Sequence, residues 1–120
     1  MHILLVEDNP LNLELETDLL ELGGHQVTQA ETGEKALELA RQQPFDLILI
    51  DVSLPGKDGL TVTSELKSDP QTRDIPVIAV TAHAMVGDKE RVMSVGCLGY
   101  LTKPIDTRTF VRDIEAFMPS

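Results

Sequence analysis

The sequence predicts an α/β protein in which one doubly wound, five-stranded parallel sheet carries a helix after each strand, in one domain spanning residues 1–120. Short, uninterrupted apolar runs are typical of parallel strands covered on both faces, and three occur here: Ile3–Val6, Leu47–Ile50 and Val77–Val80. Stretches of helical pattern bounded by Gly or Pro separate these runs. The length of 120 residues, 42% of them hydrophobic, allows one sizeable core and is too short for two ordinary domains.

The two remaining strands are expected at the edges of the sheet. Gln26–Ala30 is polar and alternating, and Gly99–Thr102 is short, and both features favour edge positions. Crossovers between parallel strands are right-handed, so edge positions for the second and fifth strands give the order 2-1-3-4-5. This is the strand order of flavodoxin-like folds.

A helix is predicted after each strand. The first covers Pro10–Leu22, because Asn9 is a favourable N-cap, proline suits the first turn and the pair Gly23-Gly24 ends the apolar pattern. The other four are predicted over Gly33–Gln43, Gly59–Ser68, Val86–Val95 and Thr107–Phe117. Each of these four stops at or shortly before a Gly or a Pro, which favours helix termination there.

Charge and composition exclude several classes of function. Ten Lys and Arg against 20 Asp and Glu give a formal net charge of -10, so direct binding of nucleic acid is not expected. The excess lies within residues 1–69, and residues 70–120 are neutral overall. No apolar run approaches the roughly 20 residues of a membrane span, and the single cysteine, Cys97, excludes an internal disulfide. A cytoplasmic protein without membrane contact is therefore expected.

The chemistry is expected at the carboxyl edge of the sheet, where open parallel sheets bind their ligands. Glu7 and Asp8 end the first strand and Asp51 ends the third, so three carboxylates converge on one rim. Such a cluster should either protonate or bind a cation. Oxygen ligands without His or Cys suit Mg2+, with Mn2+ as an alternative.

Two further residues at this rim can contact a phosphoryl group. Thr81 ends the fourth strand and offers a hydroxyl, and Lys103 follows the fifth and offers a positive charge. Together with a metal, these groups indicate phosphoryl transfer onto a carboxylate, with Asp51 as the nucleophile. A simpler alternative for Glu7 and Asp8 is that they cap the first helix.

Four segments match, in order and spacing, the landmarks of a known family: Val6–Asn9, Leu49–Gly59, Val80–Ala84 and Tyr100–Pro104. Over its whole length the chain therefore resembles the receiver domain of two-component response regulators. Within that family it looks most similar to single-domain cell-cycle regulators and to receivers of hybrid histidine kinases. These members share the runs Thr81–Met85 and Gly87–Arg91.

The resemblance implies roles for the acidic residues. Asp51 would be the phospho-acceptor, converted to 4-aspartylphosphate in a Mg2+-dependent reaction. Asp8, Asp51 and the main-chain carbonyl of Ser53 would hold Mg2+, with Glu7 acting directly or through water. Ser53, and His83 in the loop after the fourth strand, would tune the hydrolysis of the phosphorylated residue, the alternative being that both are solvated loop residues.

Other implied roles concern the phosphorylated state. Thr81 and Lys103 would receive the phosphoryl oxygens, and Tyr100 occupies the switch position, where an aromatic ring enters the space that Thr81 leaves. The alternative is that Tyr100 only packs on an edge strand. The resemblance also implies a cis peptide at Lys103–Pro104, a type of bond that adopts cis at little cost.

The resemblance also implies protein partners. A histidine kinase or His-phosphotransfer protein would supply the phosphoryl group, and a downstream protein would bind the face of the fourth helix, fifth strand and fifth helix. At about 100° per residue, four leucines of the first helix share the face that we expect on the sheet: Leu11, Leu15, Leu19 and Leu22. Leu13 and Leu20 are then exposed and could dock the donor, or they could be isolated surface leucines.

Three other functions remain open. A phosphatase similar to haloacid dehalogenases also uses a strand-end Asp with Mg2+, but it needs a second Asp where this chain has Ser53. A small cofactor carrier of the same fold needs a phosphate-binding loop and aromatic residues, which Glu7–Pro10 and the scarcity of aromatics disfavour. An interaction module independent of phosphorylation would not need the intact acidic set. We therefore expect a switch that catalyses only its own phosphorylation and dephosphorylation.

Overall fold

The computed structural model describes residues 1–82 and 86–118. Within these residues, five strands and five helices alternate: β1 (His2–Val6), α1 (Pro10–Leu22), β2 (Gln26–Ala30), α2 (Gly33–Gln42), β3 (Leu47–Asp51), α3 (Gly59–Ser68), β4 (Val77–Thr81), α4 (Val86–Ser94), β5 (Gly99–Thr102) and α5 (Phe110–Phe117). The strands form one parallel sheet in the order β2-β1-β3-β4-β5. The predicted fold class and strand order are confirmed.

Alternation along the central strands divides the core into two layers. On β1, Ile3 and Leu5 pack into the layer that also receives α1 and α5. Leu4 and Val6 pack into the opposite layer, against α2, α3 and α4. All residues of β3 and β4 are buried, as their continuous apolar runs predict.

Two polar residues extend the central strands beyond their apolar runs. Asp51 is the last residue of β3 and pairs with Val80, and Thr81 is the last residue of β4 and pairs with Thr102. Only 4% of Asp51 and 3% of Thr81 are exposed. The ladder therefore fixes both residues at the carboxyl edge of the sheet.

Helix boundaries agree with the prediction except for small shifts at three ends. Gln43 is extended (φ -133°, ψ 151°), as the residue before Pro44 tends to be, so α2 ends one residue early. α4 also ends one residue early. α5 begins at Phe110 rather than at Thr107, because residues 107–109 form a turn in which the Arg108 and Thr109 N–H groups donate to Asp106.

The predicted faces of α1 are wrong. Leu13 and Leu20, expected in solvent, are buried against the sheet, with 6% and 0% exposed. Three of the leucines expected on the sheet are exposed: Leu11 at 77%, Leu15 at 40% and Leu22 at 86%. Only Leu19 of that group packs partly against the core. The error arises because the buried face also contains Glu16, so counting leucines selects the opposite face.

Smaller features of the fold also bear on the predictions. Lys103–Pro104 is a cis peptide, as the resemblance implies. Cys97 is buried and free, which agrees with the exclusion of an internal disulfide. In the described part of the chain, all helices are too short or too polar to cross a bilayer.

Candidate metal centre and acceptor site

Three carboxyl groups meet at the carboxyl edge of the sheet. Glu7 and Asp8 follow β1 and Asp51 ends β3, and each presents one oxygen, with all three oxygens within 4.8 Å of one another. Glu7 and Asp51 are only 1% and 4% exposed, whereas Asp8 is exposed. The predicted convergence is present, and the cluster is open to solvent on the side of Asp8.

Lys103 is paired with two of these acids. Its Nζ donates to Asp51 Oδ2 at 2.8 Å and to Glu7 Oε2 at 3.1 Å. Its backbone N–H donates to the Thr81 carbonyl at 2.8 Å, which holds the segment after β5 beside the end of β4. One ammonium against three carboxyl groups leaves an excess of negative charge that a hard divalent cation can neutralise. The donor set therefore fits Mg2+.

Burial and charge shift two pKa values in this cluster. Burial raises the pKa of Glu7, the nearby charge of Asp51 raises it further, and Lys103 offsets part of the rise. Burial by itself lowers the pKa of Lys103, but its hydrogen bonds to Asp51 and Glu7 outweigh this, so the net shift is upward. Protonation of Glu7 and binding of a cation at this cluster therefore compete.

The backbone around Asp51 is tightly packed. Asp51 Oδ1 accepts the Ser53 N–H at 3.0 Å, and the Val52 N–H donates to the Val80 carbonyl at 3.0 Å. Gly59 closes this turn, because its N–H donates to the Val52 carbonyl at 3.0 Å. A Cβ on Gly59 would lie 2.9 Å from the Asp51 carbonyl carbon and 2.9 Å from Val52 Cα. The backbone at this turn therefore requires glycine at position 59.

The alternative role of Glu7 and Asp8 as helix caps does not match the contacts at the start of α1. Asn9 is the N-cap, and its Oδ1 accepts the N–H groups of Leu11 and Asn12 at 3.0 and 3.1 Å. Glu7 Oε1 instead accepts the Asn9 N–H at 3.2 Å, outside the first helical turn. The cap is therefore supplied separately from the acidic cluster.

The structure describes three of the four remaining predicted residues. Thr81 is buried at the end of β4, one strand away from Asp51. Tyr100 is half-buried on β5, opposite Ala79, and packs against the layer that contains α2, α3 and α4. Ser53 is exposed. The fourth residue, His83, lies outside the described residues.

Sequence reasoning missed Glu16, which α1 turns toward the site. The residue is 2% exposed and lines a cavity of about 350 Å³ together with Asn12, Leu15, Ala82, Lys103 and Pro104. Burial raises the pKa of Glu16 to about 7, the charge of Glu7 adds to the rise, and Lys103 opposes it. The sequence did contain a signal, because Glu16 lies on the same helical face as Leu13 and Leu20. An acid at that position looks like a break in the apolar face, so the signal is easily dismissed.

Glu16→Gln is expected to stabilise the protein more at pH 8 than at pH 5. The Glu16 carboxyl keeps its proton up to about pH 7 in the folded chain, whereas the ordinary pKa of a glutamate is 4.5. Between these values the folded state binds more protons than the unfolded state, so this group lowers stability as pH rises. Removing the carboxyl should therefore raise the free energy of unfolding by about 2 kcal/mol more at pH 8 than at pH 5. Urea unfolding with a chelator present measures this.

Glu14→Gln is the matched control, because Glu14 lies on the same helix and is exposed. It should change the free energy of unfolding by less than about 0.5 kcal/mol at either pH. An equal gain from Glu16→Gln at the two pH values would show that the Glu16 carboxyl does not titrate differently in the folded chain.

A buried strand-end aspartate, an acidic cation pocket and a paired lysine on a 2-1-3-4-5 sheet define a receiver-type signalling domain. The family model "Response regulator receiver domain" matches residues 3–115, and the chain belongs to this family. Receiver domains are signalling switches rather than turnover enzymes. The resemblance drawn from the four segments is thereby confirmed.

The chain is also similar to individual relatives. It is 47% identical over 116 residues to the polar-differentiation response regulators DivK of Brucella ovis and Brucella abortus. That match covers 97% of this chain and 94% of each relative. The expected similarity to single-domain regulators is therefore confirmed.

Solved structures show the same fold. The chemotaxis protein CheY4 of Vibrio cholerae superposes with a TM-score of 0.92 at 25% identity, covering 98% of both chains. The receiver domain of a sensor histidine kinase of Pseudomonas aeruginosa superposes with a TM-score of 0.87 at 37% identity, covering 97% of this chain and 95% of that one. The latter structure has a magnesium ion coordinated in its active-site cleft.

Proposed function

We propose that this chain is a phospho-accepting switch of a two-component phosphorelay. It takes a phosphoryl group from a histidine kinase or His-phosphotransfer protein onto Asp51, and then changes its protein contacts at the face of α4, β5 and α5. The observation that carries this proposal is the position of Asp51, which is buried at a strand end, hydrogen-bonded to Lys103 and within 4.8 Å of two further carboxyl oxygens. The free, buried Cys97 is compatible with a reducing cytoplasm as the location.

The acceptor chemistry uses the Asp51 carboxylate as nucleophile. One carboxylate oxygen attacks the phosphorus of a phosphohistidine, the P–N bond breaks, and its electron pair stays on the imidazole nitrogen, which takes up a proton. Glu7, Asp8, Asp51 and the Ser53 carbonyl would hold Mg2+, or Mn2+ in its place. When bound, the cation offsets the negative charge of the acceptor and the phosphoryl group. Hydrolysis of the acyl phosphate, tuned by Ser53 and His83, resets the switch.

Lys103 and Thr81 would bind the transferred group. The Lys103 ammonium already lies 2.8 Å from Asp51 Oδ2, so it can move to a phosphoryl oxygen with little displacement. Thr81 ends the neighbouring strand and can donate its hydroxyl to a second oxygen. A phosphoryl group carries about two negative charges, so both donors should be drawn toward it.

The direct test of this function is incubation with acetyl phosphate and Mg2+, followed by intact mass spectrometry. We expect a gain of about 80 Da, the mass of one phosphoryl group, and no gain when a chelator removes the metal. Beryllofluoride, which mimics the phosphoryl group, covers the case of a rapidly hydrolysed adduct. The proposal would be contradicted if the wild-type chain gave no adduct and also showed no saturable binding of beryllofluoride.

Beryllofluoride with Mg2+ should change the fluorescence of Tyr100, which is the only tyrosine in a chain without tryptophan. The proposed movement of Thr81 toward the phosphoryl group opens space for the half-buried ring, so its environment becomes drier. Fluorescence titration should give a saturable change in wild type and a much smaller one in Thr81→Ala. The same fluorescence change in both proteins would show that Tyr100 does not respond to the movement of Thr81.

Leu11→Ser combined with Leu15→Ser should slow phosphotransfer from a phosphorylated histidine-containing bundle by roughly tenfold or more. These side chains are 77% and 40% exposed beside the acidic rim, and they replace the predicted Leu13 and Leu20 as the apolar docking surface. Losing them removes apolar contact area from the complex. Transfer of radiolabelled phosphate between the two proteins measures the rate.

Leu98→Ser supplies the control, because Leu98 is 43% exposed and precedes β5, away from α1. It should leave the transfer rate within about twofold of wild type. Labelling by acetyl phosphate, which needs no docking surface, should be equal in all three proteins. A slowed reaction with acetyl phosphate would assign the effect of the α1 leucines to the site itself.

A further inference from the structure

The cavity beside the acceptor site has apolar walls and one buried acid. Its volume is about 350 Å³, and Leu15, Pro104 and Ile105 form much of its lining. Glu16 lines the same space and is only 2% exposed. A space of this size can admit the end of a long side chain, and its walls suit the methylene stem of such a chain.

Within residues 1–82 and 86–118, no hydrogen bond reaches the Glu16 carboxyl, and the charged groups that act on it are Glu7, Lys103 and Asp51. Lys103, the cation that shares the cavity lining, already donates to Asp51 at 2.8 Å and to Glu7 at 3.1 Å. Buried carboxyl groups without a hydrogen-bond partner are unfavourable, and a ligand that supplies a donor removes that cost. Lys103 acts on Glu16 through its charge but forms no hydrogen bond with it, so the Glu16 carboxyl can accept a donor from outside the chain.

The surroundings also favour a positively charged occupant. The exposed side of α1 carries Glu14, Asp18 and Glu21, and α1 contains no basic residue. Glu7, Asp8 and Asp51 lie beyond Lys103, so the acidic field continues across the rim. A cation approaching this end of the molecule is therefore attracted before it makes any contact.

We infer that the cavity receives one arginine or lysine side chain of the phosphodonor protein, and that Glu16 is its ion-pair partner. This inference rests on the proposed function, because the occupant is brought there by the donor that docks on α1. The stem would pass between Leu15 and Ile105, and the charged end would reach the Glu16 carboxyl. A guanidinium fits this geometry well, because it can give two parallel hydrogen bonds to one carboxylate. Glu16 is then a specificity-determining residue, since donors with a neutral side chain at that position would leave it unpaired.

The test uses a helical peptide with one central arginine between leucines, and the same peptide with citrulline, which is the neutral isostere. Backbone amide shifts of the isotope-labelled protein report the binding site and the affinity. We expect the arginine peptide to bind roughly tenfold more tightly than the citrulline peptide, with shifts at Asn12, Glu16 and Ile105. In Glu16→Gln the preference for arginine should disappear, and in Glu14→Gln it should remain. Glu16→Leu repeats the test if the buried amide of Gln disturbs the fold.

Other outcomes overturn the inference. An arginine preference that survives in Glu16→Gln would assign it to the general acidic field. Ethylguanidinium that binds as tightly as the peptide, without shifts at Leu11 or Leu15, would indicate a site for a free cation instead. Shifts at Glu16 produced by Mg2+ alone, and lost in Glu16→Gln, would indicate a second metal site.

Labelling by acetyl phosphate separates this inference from the proposed function. Glu14→Gln, the control on the exposed side of α1, should gain the same mass of about 80 Da as wild type. If the wild-type chain did not gain that mass, the proposed acceptor function would be refuted. The peptide measurements would still test the cavity. Equal binding of the two peptides would refute the inference about Glu16 and would not affect the proposed acceptor function.

Discussion

Asp51→Asn should abolish the gain of about 80 Da that acetyl phosphate and Mg2+ are expected to give the wild-type chain. The amide has no carboxylate oxygen that can attack phosphorus, and it removes one of the three acidic groups available to a cation. The two side chains have the same shape, so the amide oxygen can still accept a hydrogen bond from Lys103, as Oδ2 does at 2.8 Å. We therefore expect complete loss of labelling in a folded protein, measured by intact mass and circular dichroism.

Asp58→Asn is the matched control for this substitution. Asp58 caps α3, and its Oδ1 accepts the Thr61 N–H at 2.9 Å, a role that Asn fills equally well. The same change from acid to amide, close to Asp51 in sequence, should therefore leave both labelling and stability almost unchanged. A full adduct on Asp51→Asn would place the acceptor elsewhere, and peptide mapping would then locate it.

The positions of Asp51 and Thr81 at the edge of the sheet could be predicted because they depend on local sequence. Asp51 and Thr81 directly follow apolar runs, and the carboxyl ends of parallel strands share one edge of the sheet. Lys103 is different, since its ammonium meets Glu7 across 96 positions of the chain. The sequence predicts that Lys103 lies at the edge of the sheet, because it follows β5. Its simultaneous pairing with Asp51 and Glu7 depends on tertiary structure.

The orientation of α1 could not be derived from hydropathy. Leu11, Leu15 and Leu22 form as good an apolar stripe as Leu13 and Leu20, and the correct face contains Glu16. A buried acid at 2% exposure contradicts the usual preference of carboxylates for water, so pattern reasoning rejects that face. A feature that breaks a local rule is a candidate for a functional role, which is why Glu16 carries the inference about the donor.

Gly59→Ala should destabilise the protein by about 3 kcal/mol or more. The added Cβ would lie 2.9 Å from the Asp51 carbonyl carbon and 2.9 Å from Val52 Cα. These are backbone atoms of β3 and of the residue that follows it, and the Val52 N–H is held by Val80 at 3.0 Å. Relief therefore requires moving α3 away from the sheet or breaking the end of a central strand. Urea unfolding measures the loss.

Gly87→Ala is the control, because Gly87 lies in α4 and a Cβ there would have nothing within 4 Å. It should be neutral or stabilising by up to about 1 kcal/mol, since alanine is the better helix former. If Gly59→Ala changed the free energy of unfolding as little as Gly87→Ala, α3 would be able to move away from the sheet without destabilising the protein. If Gly59→Ala stays folded at low temperature, its labelling by acetyl phosphate should still be slower than that of wild type. The clash falls on the backbone of Asp51 itself, so the position of the proposed acceptor and the packing of α3 both depend on the absence of a side chain at Gly59.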